Sequence, residues 1–169
     1  MLADAIIRWT ARVFVGCYIG RILVDVAGRR DPASQRFARW TWTIGCAFLF
    51  VHLAAAFHGV HDWSHGAAYD HVLKRTQEMT GVATGVGLHV NYAFAALWLV
   101  DTILWWKALN WSERRIPYWI VQAIFGFLMI QATVVFGSPV WIIVASLVGM
   151  TMLALRWQAA GKNRPNATN

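Results

Sequence analysis

The stretch VGLHVNYAFAALWLVDTILWW, residues 86–106, decides the fold class. It contains one charged side chain, Asp101, and it is long enough to cross a bilayer, which takes about 20 mostly apolar residues in a helix. Three other segments share this length and apolar character, namely 40–60, 117–136 and 140–157. We therefore predict an all-α integral membrane protein in which these four segments are transmembrane helices.

A fifth segment, residues 5–26, is apolar overall but carries Arg12, Arg21 and Asp25. An amphipathic helix lying on the membrane surface is the alternative interpretation. We expect a transmembrane helix, because the charges are too sparse to form a polar face and because Arg21 and Asp25, four residues apart near one end, can pair or extend to the interface. The prediction is therefore one domain, residues 1–169, built as a bundle of five transmembrane helices.

Composition supports a lipid environment. Hydrophobic residues make up 58% of the chain and charged residues 14%, whereas an average soluble domain carries about 25% charged residues. The net charge of +7 is compatible with nucleic-acid binding, but basic residues flanking transmembrane helices on the cytoplasmic side explain it better. We therefore expect the lipid bilayer as the surrounding medium and no nucleic-acid partner.

Charge placement predicts the orientation. With the N-terminus outside and the C-terminus inside, three basic residues lie on the outer side, namely Arg8, Lys74 and Arg75. The cytoplasmic side then receives ten, namely Arg29, Arg30, Arg36, Arg39, Lys107, Arg114, Arg115, Arg156, Lys162 and Arg164. This asymmetry follows the positive-inside rule and places the loop between the second and third spans outside. That loop is predicted to contain a short surface helix over residues 64–80, and Asp62 or Ser64 can cap it.

All six histidines fall between His52 and His89. His58, His61 and His65 are separated by three, four and seven residues, so they share one face if the second span continues as a helix beyond the membrane. His89 lies a few residues into the third span, at a depth similar to that of His58. The sequence therefore predicts several imidazoles converging near the outer face.

Two kinds of cofactor match that prediction. Heme b can be held by two imidazoles from facing helices, here His58 and His89, with Arg12 neutralising a propionate. A Zn or Cu ion would be bound by His58, His61, His65 and His89. A metal-dependent hydrolase using Asp62 or Asp70 as base, and a structural or assembly subunit without a cofactor, remain alternatives.

One further pair is predicted from depth alone. Arg21 in the first span and Asp101 in the third each lie about five residues from the cytoplasmic end of their helix. A lone charge at that depth would be costly in a membrane, so we expect the two side chains to form a structural ion pair.

The run HDWSHGAAY at 61–69, followed by GLHVNY at 87–92 and WLVD at 98–101, resembles a group of small uncharacterised bacterial membrane proteins, chiefly planctomycete ones. The resemblance implies a membrane location and no particular chemistry. From the spans and the charge asymmetry we expect a multi-pass protein of the bacterial inner membrane. The grouped histidines make one hypothesis the leading one: a heme- or metal-binding subunit that transfers electrons within a larger complex. Its expected partners are other membrane protein subunits.

Overall fold

The computed structural model describes residues 2–107, 115–130 and 140–162, and within these ranges it contains six α-helices and no strand. The all-α class predicted from the sequence is therefore confirmed. The helices are α1 (Leu2–Val26), α2 (Pro32–Val60), α3 (His65–Thr80), α4 (Val86–Lys107), α5 (Arg115–Ile130) and α6 (Val140–Lys162). The part of the fourth predicted span beyond residue 130 lies outside the described residues.

Among the described residues, two helices are long and apolar enough to cross a membrane, α2 and α4. These two helices support membrane association. Helix α1 has sufficient length, but any segment of it that could cross a bilayer contains at least three charged side chains. The described part of α5 contains 16 residues and is shorter than a span.

Helix α2 begins eight residues before the apolar segment predicted at 40–60. Asp31 adopts the extended backbone of an N-cap residue, and its carboxylate accepts a hydrogen bond from the Ser34 amide at 2.9 Å. Pro32 follows in the first turn, where a helix needs no amide hydrogen from that residue. The apolar pattern predicts the membrane-compatible part of α2, whereas the cap determines where the helix starts.

Helices α1 and α2 form an antiparallel hairpin, which is the most extensive helix contact among the described residues. Close approach depends on glycine. A methyl group on Gly45 would lie 2.9 Å from Cys17 Cβ and 2.9 Å from the Trp98 ring, and one on Gly59 would lie 2.5 Å from Ala3 Cβ. The N-terminal end of α1 therefore lies against the C-terminal end of α2, where the chain continues into α3.

Aromatic side chains fill the centre of the bundle. The indoles of Trp42 and Trp98 are fully buried, with ring centroids 4.7 Å apart. Phe125 of α5 packs on both, and Phe94 and Tyr18 surround it. These rings join α1, α2, α4 and α5 in one core.

The outward faces of the helices carry many large apolar side chains. Leu153 is 71% exposed, and Phe127 and Ile143 are similarly open. Arg21, by contrast, is 1% exposed. A water-soluble protein places few contiguous apolar residues outside and rarely buries a charge, so this distribution is typical of a surface covered by lipid or by other subunits.

Candidate functional site

Helix α3 lies across one end of the bundle, which we call the α3 end. The Ser64 hydroxyl caps it by accepting a hydrogen bond from the Ala67 amide at 3.2 Å, and Gly81 ends it in the left-handed conformation. Before the cap, the chain turns sharply through Asp62 and Trp63, which both have positive φ angles. On the other side, Gly85 allows the ring of Tyr69 to contact the backbone that leads into α4. These features fix α3 over the ends of α2 and α4.

The structure separates the histidines into pairs. His65 at the start of α3 lies beside His89 of α4, with ring centroids 5.8 Å apart, and His61 lies beside His71 at 5.2 Å. His58 contacts the indole of Trp63 instead.

The predicted single face therefore does not form, because α2 ends at Val60 and the turn through residues 61–64 redirects the chain. His89 is paired with His65 and not with His58. Within residues 2–107, 115–130 and 140–162, no three His, Cys, Asp or Glu side chains are grouped closely enough to hold an ion.

Arg12, the predicted propionate partner, lies elsewhere. Its guanidinium stacks over the Trp9 ring, 4.8 Å from the centroid, and its side chain is exposed on α1. It does not line the cavity described next.

Beneath α3 lies a half-open cavity of about 500 Å³. Its walls come from α1, α2, α4 and α5, and its roof comes from α3. Most of the lining is apolar and includes three phenylalanines, while the roof supplies basic and polar side chains. The lining residues are Phe14, Leu49, His52, Leu53, His71, Val72, Arg75, Thr76, Gly87, Val90, Asn91, Phe94, Phe127, Leu128 and Met129.

His52 is the histidine whose hydrogen bonds fix its tautomer. Its Nδ1 lies 3.0 Å from the Ile7 carbonyl oxygen and 3.2 Å from Thr10 Oγ1. The Thr10 hydroxyl lies 2.7 Å from the Ile6 carbonyl oxygen, to which it donates its hydrogen. A carbonyl can only accept, so Nδ1 carries the imidazole hydrogen and Nε2 keeps its lone pair.

This arrangement is the one that ligand histidines adopt in metal and heme proteins, where the second ring nitrogen donates to a carbonyl or carboxylate. Phe14 packs edge-on against the ring at 5.4 Å and holds its orientation. His52 was not among the predicted ligands, although an ionisable side chain in the middle of an apolar segment is a signal for a functional residue.

The surroundings of the two histidine pairs, His61–His71 and His65–His89, differ. The pKa of His61 lies below its ordinary value, first because the ring is partly desolvated and second because His71 is close. His65 is oriented by Tyr92, whose phenolic oxygen lies 3.1 Å from its Nδ1. The rings of His65 and His89 are both exposed to solvent.

At the opposite end of the bundle, the structure brings Arg21 and Asp101 together. Arg21 Nη1 lies 3.8 Å from Asp101 Oδ2, and Arg21 Nε donates to Asp25 Oδ2 at 3.2 Å. The guanidinium is also stacked between the indoles of Trp42 and Trp105, at 4.4 and 3.8 Å from their centroids. This buried set, which we call the Arg21 cluster, joins α1, α2 and α4.

Comparison with known proteins adds no assignment. No family model, curated protein or solved structure matches this chain. The function is therefore argued from the cavity and the side chains around it.

Proposed function

We propose that this chain is a heme b-binding subunit of a bacterial inner-membrane complex, with the heme in the cavity beneath α3 and His52 as an axial ligand. One observation carries the proposal: His52 lines the cavity, and because its Nδ1 hydrogen is donated to the Ile7 carbonyl, the lone pair that could coordinate iron is on Nε2. Iron in heme needs one or two protein ligands, so a single well-oriented imidazole is sufficient.

The cavity fits an amphipathic macrocycle. Its volume lies within the range of about 300–1,000 Å³ typical of small-ligand sites. Phe14, Phe94 and Phe127 offer apolar walls for a flat aromatic group. A bare Zn or Cu ion fits this cavity less well, because such an ion usually takes three or four protein ligands.

The roof of the cavity fits the acidic edge of a heme. Arg75 and His71 line it from α3, so propionates would face them. Arg75 is paired with Glu78 at 3.4 Å, but the two side chains are 51% and 66% exposed. Such exposed pairs contribute about 0–1 kcal/mol, so Arg75 can exchange Glu78 for a propionate. In the heme hypothesis, Arg75 and His71 thus replace Arg12 beside the propionates, and His52 replaces the pair His58 and His89 as the iron ligand.

Five transmembrane helices, with the N-terminus outside, remain our proposal for the architecture. The charges that interrupt α1 support it, since Arg21 and Asp25 are buried against α2 and α4 and would not face lipid. Arg12 can lie along Trp9 and reach the interface. Helix α6 contains 23 residues, and exposed apolar side chains such as Leu147 lie along it.

Bound heme would supply one-electron chemistry at this site, while the protein holds the iron, excludes water from the apolar walls and balances the acidic edge. The cavity lies towards the α3 end, which the charge asymmetry places outside. One such site cannot carry an electron across the whole bilayer. We therefore propose electron transfer to or from other membrane subunits that cover the exposed apolar faces.

Heme titration of the purified protein tests the proposal. The protein should carry an affinity tag without histidine, and the Soret band should saturate at one heme per chain. His52→Leu should weaken binding by at least about tenfold, as losing an orienting or ligating group at a metal site does. His58→Leu is the matched control on the same helix and should bind as the native chain does.

Two results would overturn the proposal: no heme bound by the native chain, or equal binding by His52→Leu. The first result would favour a structural subunit without a cofactor. The second would show that a residue other than His52 binds the iron. Loss of binding in His58→Leu and His89→Leu, with His52→Leu unaffected, would restore the pair predicted from the sequence. Circular dichroism of each variant without heme checks that the helices are intact.

A further inference from the structure

A groove with a basic wall lies at the end of the bundle that holds the Arg21 cluster, between the start of α2 and the last turn of α4. Four of its residues follow the spacing i, i+4, i+7 and i+8 and share one face of α2, while Trp106 approaches from α4. The groove is half open, with a volume of about 530 Å³, and we call it the basic groove. It is lined by Pro32, Gln35, Arg36, Arg39, Trp40 and Trp106. None of these residues lines the cavity beneath α3, so the heme proposal does not use them.

Contacts between α2 and α4 hold the wall of the basic groove in place. The guanidinium carbon of Arg39 lies 5.1 Å from the centroid of the Trp106 ring, and Trp106 packs edge-on against Trp40 with centroids 5.2 Å apart. The Trp106 indole donates a hydrogen bond to Thr43 Oγ1 at 2.9 Å. The Thr43 hydroxyl in turn donates to the Arg39 carbonyl at 2.9 Å. The wall is therefore formed before any ligand binds.

The two guanidinium groups of the basic groove lack a carboxylate partner among residues 2–107, 115–130 and 140–162. Nε of Arg39 is buried and has no hydrogen-bond acceptor there. Nearby carboxylates have other roles, since Asp25 and Asp101 pair with Arg21. The carboxylate of Asp31 accepts the hydrogen bond that caps α2. Because two like charges three residues apart on a helix repel each other, an anion in the groove would compensate both.

We propose that the basic groove binds the phosphate group of an anionic phospholipid, such as phosphatidylglycerol, in the cytoplasmic leaflet. Arginine binds phosphate oxygens through paired N–H groups, and basic pockets between membrane helices take anionic lipid headgroups. This proposal rests on the membrane association that α2 and α4 support, and on the orientation predicted by the charge asymmetry. It does not depend on heme.

The surroundings of the groove favour a lipid over free phosphate. Trp40 is the first residue of the apolar segment of α2, so the groove lies at the depth where a headgroup meets the acyl chains. Phe37 and Trp40 are 56% and 52% exposed. Both lie beside Arg36 on the outer surface of α2, where they can contact the glycerol and the first acyl carbons of a lipid whose phosphate is in the groove.

Native mass spectrometry of the protein, released from a neutral detergent without heme, measures the site. The native chain should retain one added phosphatidylglycerol and no phosphatidylcholine. Arg36→Gln and Arg39→Gln should each weaken the affinity for phosphatidylglycerol by at least about tenfold, as losing a charged hydrogen-bond donor does. Arg30→Gln is the matched control, because it removes the same charge at the same end but outside the groove, and it should bind as the native chain does.

Three results would overturn the proposal. Native affinity in both Arg36→Gln and Arg39→Gln would show that the groove is not the site. Equal losses in Arg30→Gln would show attraction to the net charge instead of a defined site. Equal retention of phosphatidylcholine, or full competition by inorganic phosphate at the concentration of the lipid, would rule out recognition of an anionic lipid. Circular dichroism checks that each variant is folded, and Arg36 is exposed, so its substitution leaves the core intact.

Thermal unfolding in nanodiscs gives a second measurement, because a ligand that binds the folded chain raises its melting temperature. Adding phosphatidylglycerol to phosphatidylcholine nanodiscs should raise the melting temperature of the native chain and of Arg30→Gln. The rise should be smaller in Arg36→Gln. Equal rises in the native chain and Arg36→Gln would contradict the site. All these measurements are made without heme, so failure of the heme proposal would leave their outcomes unchanged.

Discussion

The two ends of the same helices treat their polar residues in opposite ways. At one end the Arg21 cluster packs a guanidinium against two indoles and two carboxylates, and none of its residues lines the cavity beneath α3. At the α3 end, about 27 Å along α2 from Trp42, His61 is half-buried and the other imidazoles are exposed or line the cavity. The charges at the first end pair with one another, whereas His52 donates its Nδ1 hydrogen to a carbonyl and lines the cavity.

This difference separates structural polar residues from functional ones. Removing one member of a buried ion pair destabilises a membrane bundle, because the remaining charge is left in the interior without its partner. His52 is oriented through its Nδ1 hydrogen bond and lines the cavity. The lone pair on its Nε2 adds nothing to the stability of the fold. The comparison therefore predicts stability losses at the Arg21 cluster and binding losses at the α3 end.

The largest effect is expected for Arg21→Met. It removes the cation from between Asp25 and Asp101 and leaves two carboxylates in the interior. Breaking a buried pair costs about 3–5 kcal/mol, and chemical unfolding in detergent measures it. Arg75→Met, which breaks an exposed pair on α3, is the control and should cost at most about 1 kcal/mol. Equal losses in the two variants would show that the Arg21 cluster is not a structural centre.

Gly45→Ala should have the next largest effect. The added methyl group would collide with the Cβ of Cys17 and the ring of Trp98, forcing α1 and α4 away from α2. Overpacking of this kind costs about 1–3 kcal/mol. Gly16→Ala on α1 is the matched control, because no atom lies within 4 Å of its added methyl group. A native-like melting temperature for Gly45→Ala would contradict the close packing.

Thr10→Val addresses the α3 end with a smaller change. The substitution removes the hydroxyl 3.2 Å from His52 Nδ1 but leaves the Ile7 carbonyl as acceptor. One lost hydrogen bond is worth about 0.5–1.5 kcal/mol, so heme affinity should fall by roughly two- to tenfold. Titration of the Soret band measures this shift. Thr43→Val, also a threonine bonded to a backbone carbonyl but distant from the cavity, should leave heme affinity unchanged.

The smallest effect concerns pH. Because the folded chain lowers the pKa of His61, the unfolded chain binds more protons as the pH falls below the ordinary value of about 6.5. The stability linked to His61 is therefore complete above that pH and decreases as the pH falls through it. His61→Gln should flatten this part of the curve of unfolding free energy against pH. An identical pH dependence in His61→Gln would contradict the assignment.

Features that depend on the apolar pattern within a single helix could be predicted from the sequence. It predicted α4, whose observed range Val86–Lys107 follows the apolar stretch, and it predicted an Arg21–Asp101 pair from equal depth. The start of α2 was missed, because the Asp31 cap lies in a polar segment that hydropathy ignores.

The arrangement of the histidines could not be predicted in the same way. Spacing along α2 places His58, His61 and His65 on one face only if the helix continues, and the turn at Asp62 and Trp63 interrupts it. Helix rotation decides that His52 meets Thr10 of α1 and lines the cavity, and rotation is set by packing with neighbouring helices.

An experimental structure of the heme-loaded protein tests the central claim most directly. The account predicts a macrocycle between Phe14, Phe94 and Phe127, with its iron bonded to Nε2 of His52 and its acidic edge towards Arg75. A macrocycle bound at His58, or at His65 and His89, would contradict it. So would a cavity filled only by lipid chains in protein saturated with heme.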